Sequence, residues 1–431
     1  MGERSTAESA RRPWAGPPLQ RDTSPDDTQP LRNGRASPNG RAPVEKPDAR
    51  TAGDAGAWRR LWPHLRGGLT AVLLWAALRA IGLWALHHYA APRGFTLPSL
   101  LTRADGDWYM VLAQRGYDQA VPLAADGGAA ATNLAFFPLY PGLVALVAGW
   151  VPGDIQVVQV VIACATGVAA AAGLYAIGAH LHGPRAGVFL AGLWGALPHA
   201  VVETMGYSES LFTALSAWSL WAVLRRRWLT AGLLCVLAGL TRPTALALIA
   251  AVVLAALVAA VRDPRQWRAW LAIALAPLGT LGFALWLNDR LGRWDAYFYV
   301  QREAWHNSFD FGAESWRTAG TLLQDGVPLP IVVTTVVLLA MVGLFVASLG
   351  ARLPWPLLVY SAVVLVLAVG GDAYYWAKAR MLLPAFPLLL PAALGMARSR
   401  NHAVGVAVLG VLTVIASWYG IFLLIHWRGS P

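Results

Sequence analysis

Charged residues are scarce in this chain of 431 residues: they make up 13% of it, against about 25% in ordinary soluble domains. Hydrophobic residues make up 57%. This composition excludes a pair of ordinary soluble domains. It also argues against a nucleic-acid binder, despite a net charge of +11, because the basic residues are not gathered on a polar domain. The class that remains is a membrane protein that crosses the bilayer many times.

Cysteine is almost absent as well, because the chain has only Cys164 and Cys235, and both lie inside apolar runs. A disulfide framework and a cysteine-based zinc site are therefore excluded. Lysine occurs twice against 32 arginines, and alanine is abundant, as in proteins from high-GC bacterial genomes. We therefore expect a bacterial plasma membrane rather than an endoplasmic reticulum.

The first part of the chain lacks any apolar segment. Residues 1–57 are rich in Pro, Gly, Arg, Asp and Ser and show no apolar periodicity, which predicts a disordered cytoplasmic tail. The apolar core of a secretory signal is missing from this stretch. Residues 58–431 are expected to form the transmembrane domain.

Long apolar runs fill that second part. A bilayer core of about 30 Å needs about 20 apolar residues per helix. The candidate spans are 68–90, 154–181, 186–203, 208–224, 228–240, 243–261, 268–288, 329–349, 353–370, 381–397 and 403–426. One further apolar stretch, 134–150, has two prolines near its start, Pro138 and Pro141, which interrupt the first turns of a helix that begins there.

Arginine placement decides between two topologies, because positive charge in short loops faces the cytoplasm. Arg59, Arg60 and Arg66 place the N-terminus inside. If 134–150 crossed the membrane, residues 225–227, all arginine, would lie outside; if it lies along the outer interface, they lie inside. We therefore predict about eleven transmembrane helices, an external C-terminus and an interfacial juxtamembrane helix at 134–150.

This topology leaves two long external loops, 91–153 and 289–328. Most acidic residues after the tail fall on that side of the membrane. Long loops in compact proteins are usually functional. The working face is therefore expected to be extracytoplasmic.

The densest group of polar residues in the first loop is the run RADGDWY at 103–109. A carboxylate at a lipid headgroup surface, near aromatic rings and arginines, can act as a general base. Asp105 and Asp107 are thus candidate catalytic residues. Their Asp-x-Asp spacing also suits a divalent cation, which prefers carboxylate oxygens. The alternative is a solvated acidic turn without a catalytic role.

Several motifs of this chain resemble those of the PIG-V type mannosyltransferases and their bacterial relatives, in the GT-C superfamily of membrane glycosyltransferases. Residues 103–118 resemble the family's WDGxWYxxIAxxGY, 136–141 match FFPLYP, and 207–212 match YSESLF. Residues 238–243 resemble its A-x-x-x-R segment, and 380–387 are similar to R-x-x-x-P-x-F-P. The motifs stand in the family's order over roughly residues 68–426.

The resemblance implies an all-α GT-C fold with a juxtamembrane helix after a long first external loop. It also implies a catalytic aspartate in that loop, at the position of Asp105. The chain departs from the family pattern at Ala104, where tryptophan is usual, and at Asp107, where a neutral residue is common. These departures leave open whether Asp107 assists catalysis, binds a metal or is incidental.

The implied reaction is the transfer of a sugar, expected to be mannose, from a polyprenyl-phosphate donor to a lipid, glycan or protein acceptor. Asp105 would deprotonate the acceptor, and arginines would hold the phosphate, because guanidinium groups donate two hydrogen bonds at once. The substrate-binding candidates are Arg103, Tyr109, Tyr140, Glu209, Arg242, His306, Lys378 and Arg380. The resemblance assigns no definite cofactor, a divalent cation is a candidate, and the other expected partners are membrane lipids.

Several of these candidates have simpler explanations. Arg242 is costly between two short spans unless it lines a polar cavity, but it could also extend to the interface. Lys378 and Arg380 could be ordinary flanking charges. Glu209 could serve only as a helix cap, and the aromatic residues around His306 could form an interfacial belt.

Two other classes of protein stay open. A transporter or lipid-linked sugar flippase would show repeated halves and ionisable residues at mid-span, whereas Arg79 is the clearest mid-span charge here. A non-catalytic membrane scaffold would tolerate the loss of every external acid.

Overall fold

The computed structural model describes the backbone of residues 49–125 and 127–431, and every regular element in these residues is a helix. In chain order the α-helices are α1 (Ala49–Ala90), α2 (Leu97–Leu101), α3 (Asp105–Arg115), α4 (Leu139–Trp150), α5 (Ile155–His182), α6 (Pro184–Trp194), α7 (Glu209–Leu224), α8 (Trp228–Gly239), α9 (Ala245–Arg262), α10 (Trp267–Leu275), α11 (Leu278–Leu291), α12 (Ala296–Tyr299), α13 (Ala313–Gly320), α14 (Leu329–Gly350), α15 (Trp355–Gly370), α16 (Lys378–Met381), α17 (Leu390–Arg398) and α18 (His402–Ile421). Short 3-10 and π-helical turns join some of them. The predicted all-α polytopic architecture is confirmed.

Within the described residues, six helical segments are long and apolar enough to cross a bilayer. They are Leu65–Arg93, Ile155–His182, Ala245–Arg262, Trp267–Leu291, Leu329–Gly350 and Ala403–His426. A seventh span arises if the bent pair Tyr375–Met381 and Phe386–Arg398 counts as one. Four shorter apolar helices, α4, α7, α8 and α15, accompany them. Each of the eleven predicted spans overlaps a helix of the described residues: one of these long segments, the bent pair, a shorter apolar helix or α6.

Helical structure is interrupted in three predicted spans. The predicted span 186–203 is α6 followed, after Pro198, by a 3-10 turn at Ala200–Thr204. Pro277 separates α10 from α11 within 268–288, although the two together still form one segment of span length, Trp267–Leu291. At the start of the predicted span 381–397, the helices Tyr375–Met381 and Phe386–Arg398 meet at a bend of 74°. In each case a proline removes a backbone donor and clashes with the preceding turn, which ends the helix.

Two predicted boundaries concern the tail and the juxtamembrane helix. Residues 1–48 of the predicted tail lie outside the described residues, and 49–57 begin α1. Helix α4 accommodates its prolines at the N-cap and in the first turn, where backbone donors have no intrahelical partner. It packs against α3 and α5 beside the first loop, whereas α8, of equal length, packs among α7, α9 and α10. The interfacial placement of α4 stays a prediction.

Close helix packing relies on small residues. A Cβ atom added to Gly178 of α5 would lie 2.7 Å from the Cα atom of Gly187 in α6, so the two backbones touch. Alanines of α8, α9 and α10 are fully buried in the same core cluster. Small residues let helix backbones approach closely, which gains dispersion energy where lipid supplies no hydrophobic driving force. The alanine-rich composition therefore serves packing between helices.

A buried ion pair connects α1 to the segment after α6. The Nε atom of Arg79 lies 3.8 Å from the Oε2 atom of Glu203, and a second guanidinium nitrogen donates to the carbonyl of Gly195. The Trp75 indole also donates to Glu203, at 2.7 Å. The mid-span arginine thus has a carboxylate partner, as buried charges require.

The long loops meet at one end of the bundle. The Trp305 indole of the second loop donates to the Thr132 carbonyl of the first loop, at 3.1 Å. The backbone of Ser308 donates to the carboxylate of Asp372, at 2.6 Å. Arg103 donates to the carbonyl of Leu424, at 2.6 Å, and so joins the first loop to the end of the last span. Four distant parts of the sequence therefore build one surface.

Candidate active site

A cavity of about 200 Å³ opens where these loops meet. Asp105 and Tyr109 of α3 form part of its wall, and Arg242 and Arg380 form another part. Aromatic residues of the second loop close it, among them Tyr297 and Trp305. The cavity therefore combines one carboxylate, two guanidinium groups and aromatic rings.

The charged residues of this site form a row of alternating sign. The Nη2 atom of Arg380 lies 2.8 Å from Oδ2 of Asp105, and its Nε atom lies 3.3 Å from Oε1 of Glu209. The Nη1 atom of Arg242 lies 2.5 Å from the same Glu209 oxygen. Glu209 is 2% exposed and Asp105 is 23% exposed, so the two acids have different access to solvent. The structure thus brings four predicted site residues together.

The geometry of the row suits a reaction in which Asp105 is the accessible group. Its second oxygen, Oδ1, has no ion-pair or hydrogen-bond partner among the described residues. Glu209, by contrast, lies between two arginines and neutralises charge that would otherwise be buried. A substrate hydroxyl can therefore approach Asp105, while Glu209 holds the arginines in place.

Local backbone geometry fixes the position of Asp105. The residue before it, Ala104, has φ +61°, a region that a non-glycine residue seldom occupies. The residue after it, Gly106, is buried, and its carbonyl accepts a hydrogen bond from the Gln159 side chain, at 2.9 Å. Such strain persists only where surrounding contacts hold it, and it concentrates at functional sites.

Asp107 makes a different contact from Asp105. Its Oδ2 atom accepts a hydrogen bond from the backbone N–H of Ala104, at 3.1 Å, and it is not part of the cavity wall. Partial burial raises the pKa of the Asp107 carboxyl, while the Ala104 hydrogen bond and the charge of Arg103 act in the opposite direction. The contact closes the first turn of α3, directly before the residue that enters the cavity.

The two predicted tyrosines pack together but only one lines the cavity. The Tyr109 hydroxyl shares a hydrogen bond with Ser208, at 2.8 Å, next to Glu209. Burial raises the pKa of Tyr109 above its usual value, so the phenol keeps its proton. The ring of Tyr140 lies 4.9 Å from that of Tyr109, and its hydroxyl donates to the Gln159 carbonyl. Tyr140 therefore packs against a residue of the cavity wall without lining the cavity itself.

Arg103 and His306 do not line the cavity. Arg103 donates to the carbonyls of Leu424 and Trp427, at 2.6 and 3.3 Å. His306 is exposed and has φ +49°. The predicted contacts of both residues with substrate stay predictions.

Lys378 holds the backbone that leads into Arg380. Its ammonium group donates to the carbonyls of Gly371 and Val369, at 2.5 and 3.2 Å, and also to the Ser315 hydroxyl. A lysine has three N–H donors, and all three have partners here. Lys378 therefore has no donor left for a phosphate in this arrangement, and its contacts are structural.

A second cavity, of about 250 Å³, continues from the first. The two share Arg242, Pro243 and Tyr297 in their walls. Much of the remaining wall is apolar and includes Phe298 and Leu367, although Lys378 also lies in it. Phe298 is 70% exposed at the surface of the protein. The cavity that holds the charged row therefore borders a second, more apolar cavity.

Three residues of the cavity wall carry no signal in the sequence. Asn307, Tyr374 and Ser430 line the first cavity. Asn307 bonds to Gln301 within the second loop, whereas Tyr374 and Ser430 arrive from distant parts of the chain. No motif marks any of them, because contacts between remote loops leave no local pattern.

The two aspartates of the Asp-x-Asp pattern are used separately, Asp105 toward Arg380 and Asp107 toward Ala104. Among the described residues, no group of three or more His, Cys, Asp or Glu side chains is placed to hold a metal ion.

One solved structure similar to this chain is the crystal structure of ArnT from Cupriavidus metallidurans bound to undecaprenyl phosphate. The similarity covers 78% of this chain, with 14% sequence identity and a TM-score of 0.48. The chain spans 62% of the length of the ArnT chain. No protein family and no curated protein matches the sequence.

Proposed function

We propose that this protein is a GT-C type membrane glycosyltransferase, a mannosyltransferase in its specificity, that uses a polyprenyl-phosphate sugar donor. The observation that carries the proposal is the pairing of Asp105 with Arg380 in the wall of a cavity that borders a second, more apolar one. One group can take a proton, two can bind phosphate, and the more apolar cavity can receive a prenyl chain.

In the proposed reaction, Asp105 accepts the proton of the acceptor hydroxyl. The acceptor oxygen forms a bond to the anomeric carbon of the sugar, while the bond from that carbon to the phosphate oxygen breaks with its electron pair. The sugar is thereby transferred with inversion, and polyprenyl phosphate leaves. General-base catalysis of this kind contributes about 10²- to 10⁴-fold to a rate.

The arginines fit the leaving group. In its ion pair with Glu209, Arg242 uses one of its two Nη atoms. Guanidinium donors in a partly dehydrated site stabilise the charge that develops on a leaving phosphate. Tyr297 and Trp305 in the cavity wall offer apolar ring faces to a sugar.

The proposed setting is a bacterial plasma membrane, with the N-terminus in the cytoplasm and the active site on the extracytoplasmic face. It rests on arginine in the short loops and on the acidic residues in the long ones. The acceptor is a lipid, a glycan or a protein that carries a free hydroxyl group.

The test is sugar transfer by the purified full chain in proteoliposomes with radiolabelled polyprenyl-phosphate mannose and extracted membrane glycolipids as acceptors. We expect labelled product from the wild type and none above background from Asp105→Asn. The same preparation with excess EDTA tests the cation. Transport of the labelled donor across the bilayer without any transfer would contradict the proposal in favour of a flippase.

A further inference from the structure

The segment that follows the last span reaches into the candidate active site. Ser430 lines the first cavity, and its Oγ atom accepts a hydrogen bond from Nη1 of Arg380, at 3.0 Å. Arg380 is the residue whose other nitrogens contact Asp105 and Glu209. Ser430 is therefore the third partner of one guanidinium group.

Several contacts hold this segment against the loops. Arg103 donates to the carbonyls of Leu424 and Trp427. The Trp427 ring meets that of Trp376 edge-on, with centroids 5.7 Å apart. A Cβ atom at Gly429 would lie 2.5 Å from the Trp427 indole nitrogen and 2.9 Å from that of Trp376, so a side chain would displace the segment.

Tyr207 packs against the same arginine. The guanidinium carbon of Arg380 lies 5.1 Å from the centre of the Tyr207 ring. The Tyr207 hydroxyl donates to the carbonyl of Arg103, at 3.0 Å, two residues before Asp105. Ser430 and Tyr207 thus contact Arg380 together, and Tyr207 also holds the backbone that leads into Asp105.

A guanidinium group is planar and carries five N–H donors, so three contacts on three different nitrogens fix both its position and its plane. The Nη2 and Nη1 atoms of Arg380 contact Asp105 and Ser430, and its Nε atom forms an ion pair with Glu209 at 3.3 Å without a hydrogen bond. One N–H on each Nη atom remains for a ligand. Without Ser430, the Nη1 side would lose its anchor, and these free donors would no longer point in a fixed direction.

We propose that Ser430 is a positioning residue that orients Arg380 toward the donor phosphate, and that Arg103 serves the reaction by anchoring the segment that carries it. This inference rests on the proposed function. It also gives Arg103 a role, although Arg103 does not line the cavity.

The test compares Ser430→Ala and Ser430→Thr with the wild type in the full chain, with polyprenyl-phosphate mannose as donor. We expect Ser430→Ala to raise the donor KM roughly tenfold, the size expected for one hydrogen bond to a charged group, and to leave the acceptor KM unchanged. Ser430→Thr keeps the hydroxyl and should restore the wild-type value. Arg428→Ala, an exposed neighbour, is the matched control and should change neither constant.

A double-mutant cycle with Arg380→Lys separates positioning from general loosening of the segment. Lysine lacks the planar fork, so the effect of Ser430→Ala on donor KM should vanish in the Arg380→Lys background. An equal effect in both backgrounds would overturn the inference. Higher activity of Ser430→Ala than of the wild type would also overturn it, because the segment would then be a plug.

The same double-mutant cycle can be measured without substrate, by comparing the midpoints of thermal unfolding of the four proteins. One outcome is that the effects of the two substitutions on the unfolding midpoint are not additive while the wild type transfers no sugar. That result would establish the contact between Ser430 and Arg380 and contradict the proposed function. Absence of coupling in both unfolding and kinetics would refute the inference while the proposed function stands.

Discussion

Arg380 Nη2 lies 2.8 Å from Asp105 Oδ2, and this contact joins the first loop to the bent helix pair near the end of the chain. The two residues stand in separate motifs of the sequence, at 103–118 and 380–387. Together they place a partly exposed carboxylate beside a buried cation in the wall of a cavity. The consequences for activity and stability can be tested residue by residue.

The two aspartates of the first loop should behave differently. Asp105→Asn should lower sugar transfer by about 10²-fold or more, because the proposed base is lost. Asp107→Asn should keep most of the activity, since an amide oxygen can still accept the hydrogen bond from the Ala104 N–H. Rates of transfer in proteoliposomes measure both. Equal losses in the two variants would contradict the assignment of the base to Asp105.

Glu209 should contribute more to the free energy of unfolding than an exposed acidic residue does. Glu209→Ala leaves Arg242 and Arg380 buried without their shared anion, which should cost about 3–5 kcal/mol of unfolding free energy. The matched control is Glu303→Ala, which removes an exposed pair with Arg302 and should change stability by no more than about 1 kcal/mol. Equilibrium unfolding in detergent micelles measures the difference. Similar values for the two variants would show that the Glu209 pairs contribute little.

The buried pair of Arg79 and Glu203 should show strong coupling. Either Arg79→Met or Glu203→Gln leaves one buried group without its partner and should cost about 3–5 kcal/mol. The double variant should cost clearly less than the sum of the two. Unfolding free energies of all four proteins measure this, and additivity within about 0.5 kcal/mol would argue against a direct interaction.

The second loop, 289–328, should lose local stability at acid pH. Asp310 accepts hydrogen bonds from the backbone N–H groups of Glu314 and Gly312, which lower its pKa. Because the folded loop prefers the ionised form, its stabilisation is complete at neutral pH. It is lost as the pH falls below 3.8, the ordinary value of the group, toward the lowered value in the fold.

Hydrogen exchange of the α13 amides, corrected for the intrinsic rate, follows this loss between pH 6 and pH 3. We expect faster exchange at pH 3 in the wild type. Asp310→Asn should already exchange faster at pH 6, with little further pH dependence. An unchanged pH dependence in Asp310→Asn would assign the effect to another group.

The amino-acid sequence by itself determined the class of the fold. Apolar runs of about bilayer length predict helices because a chain in lipid must satisfy its own backbone hydrogen bonds. The predicted span 208–224 is α7, Glu209–Leu224, and 243–261 is α9, Ala245–Arg262. The cost of a charge between two apolar spans marked Arg242 as a candidate. Asp105, Glu209 and Arg380 were named because they stand in motifs that resemble those of the PIG-V type mannosyltransferases.

Only the tertiary structure decided how those residues are combined. Proline breaks at Pro198 and Pro277 and the 74° bend before α17 were not predicted, because the apolar pattern continues across them. Contacts between remote segments place Ser430 in the site, where it bonds to Arg380. Lys378 donates its hydrogen bonds to neighbouring protein groups, among them the Gly371 carbonyl. Hydropathy and local motifs report which residues are buried or charged, whereas the pairing of charges depends on distances that only the folded chain sets.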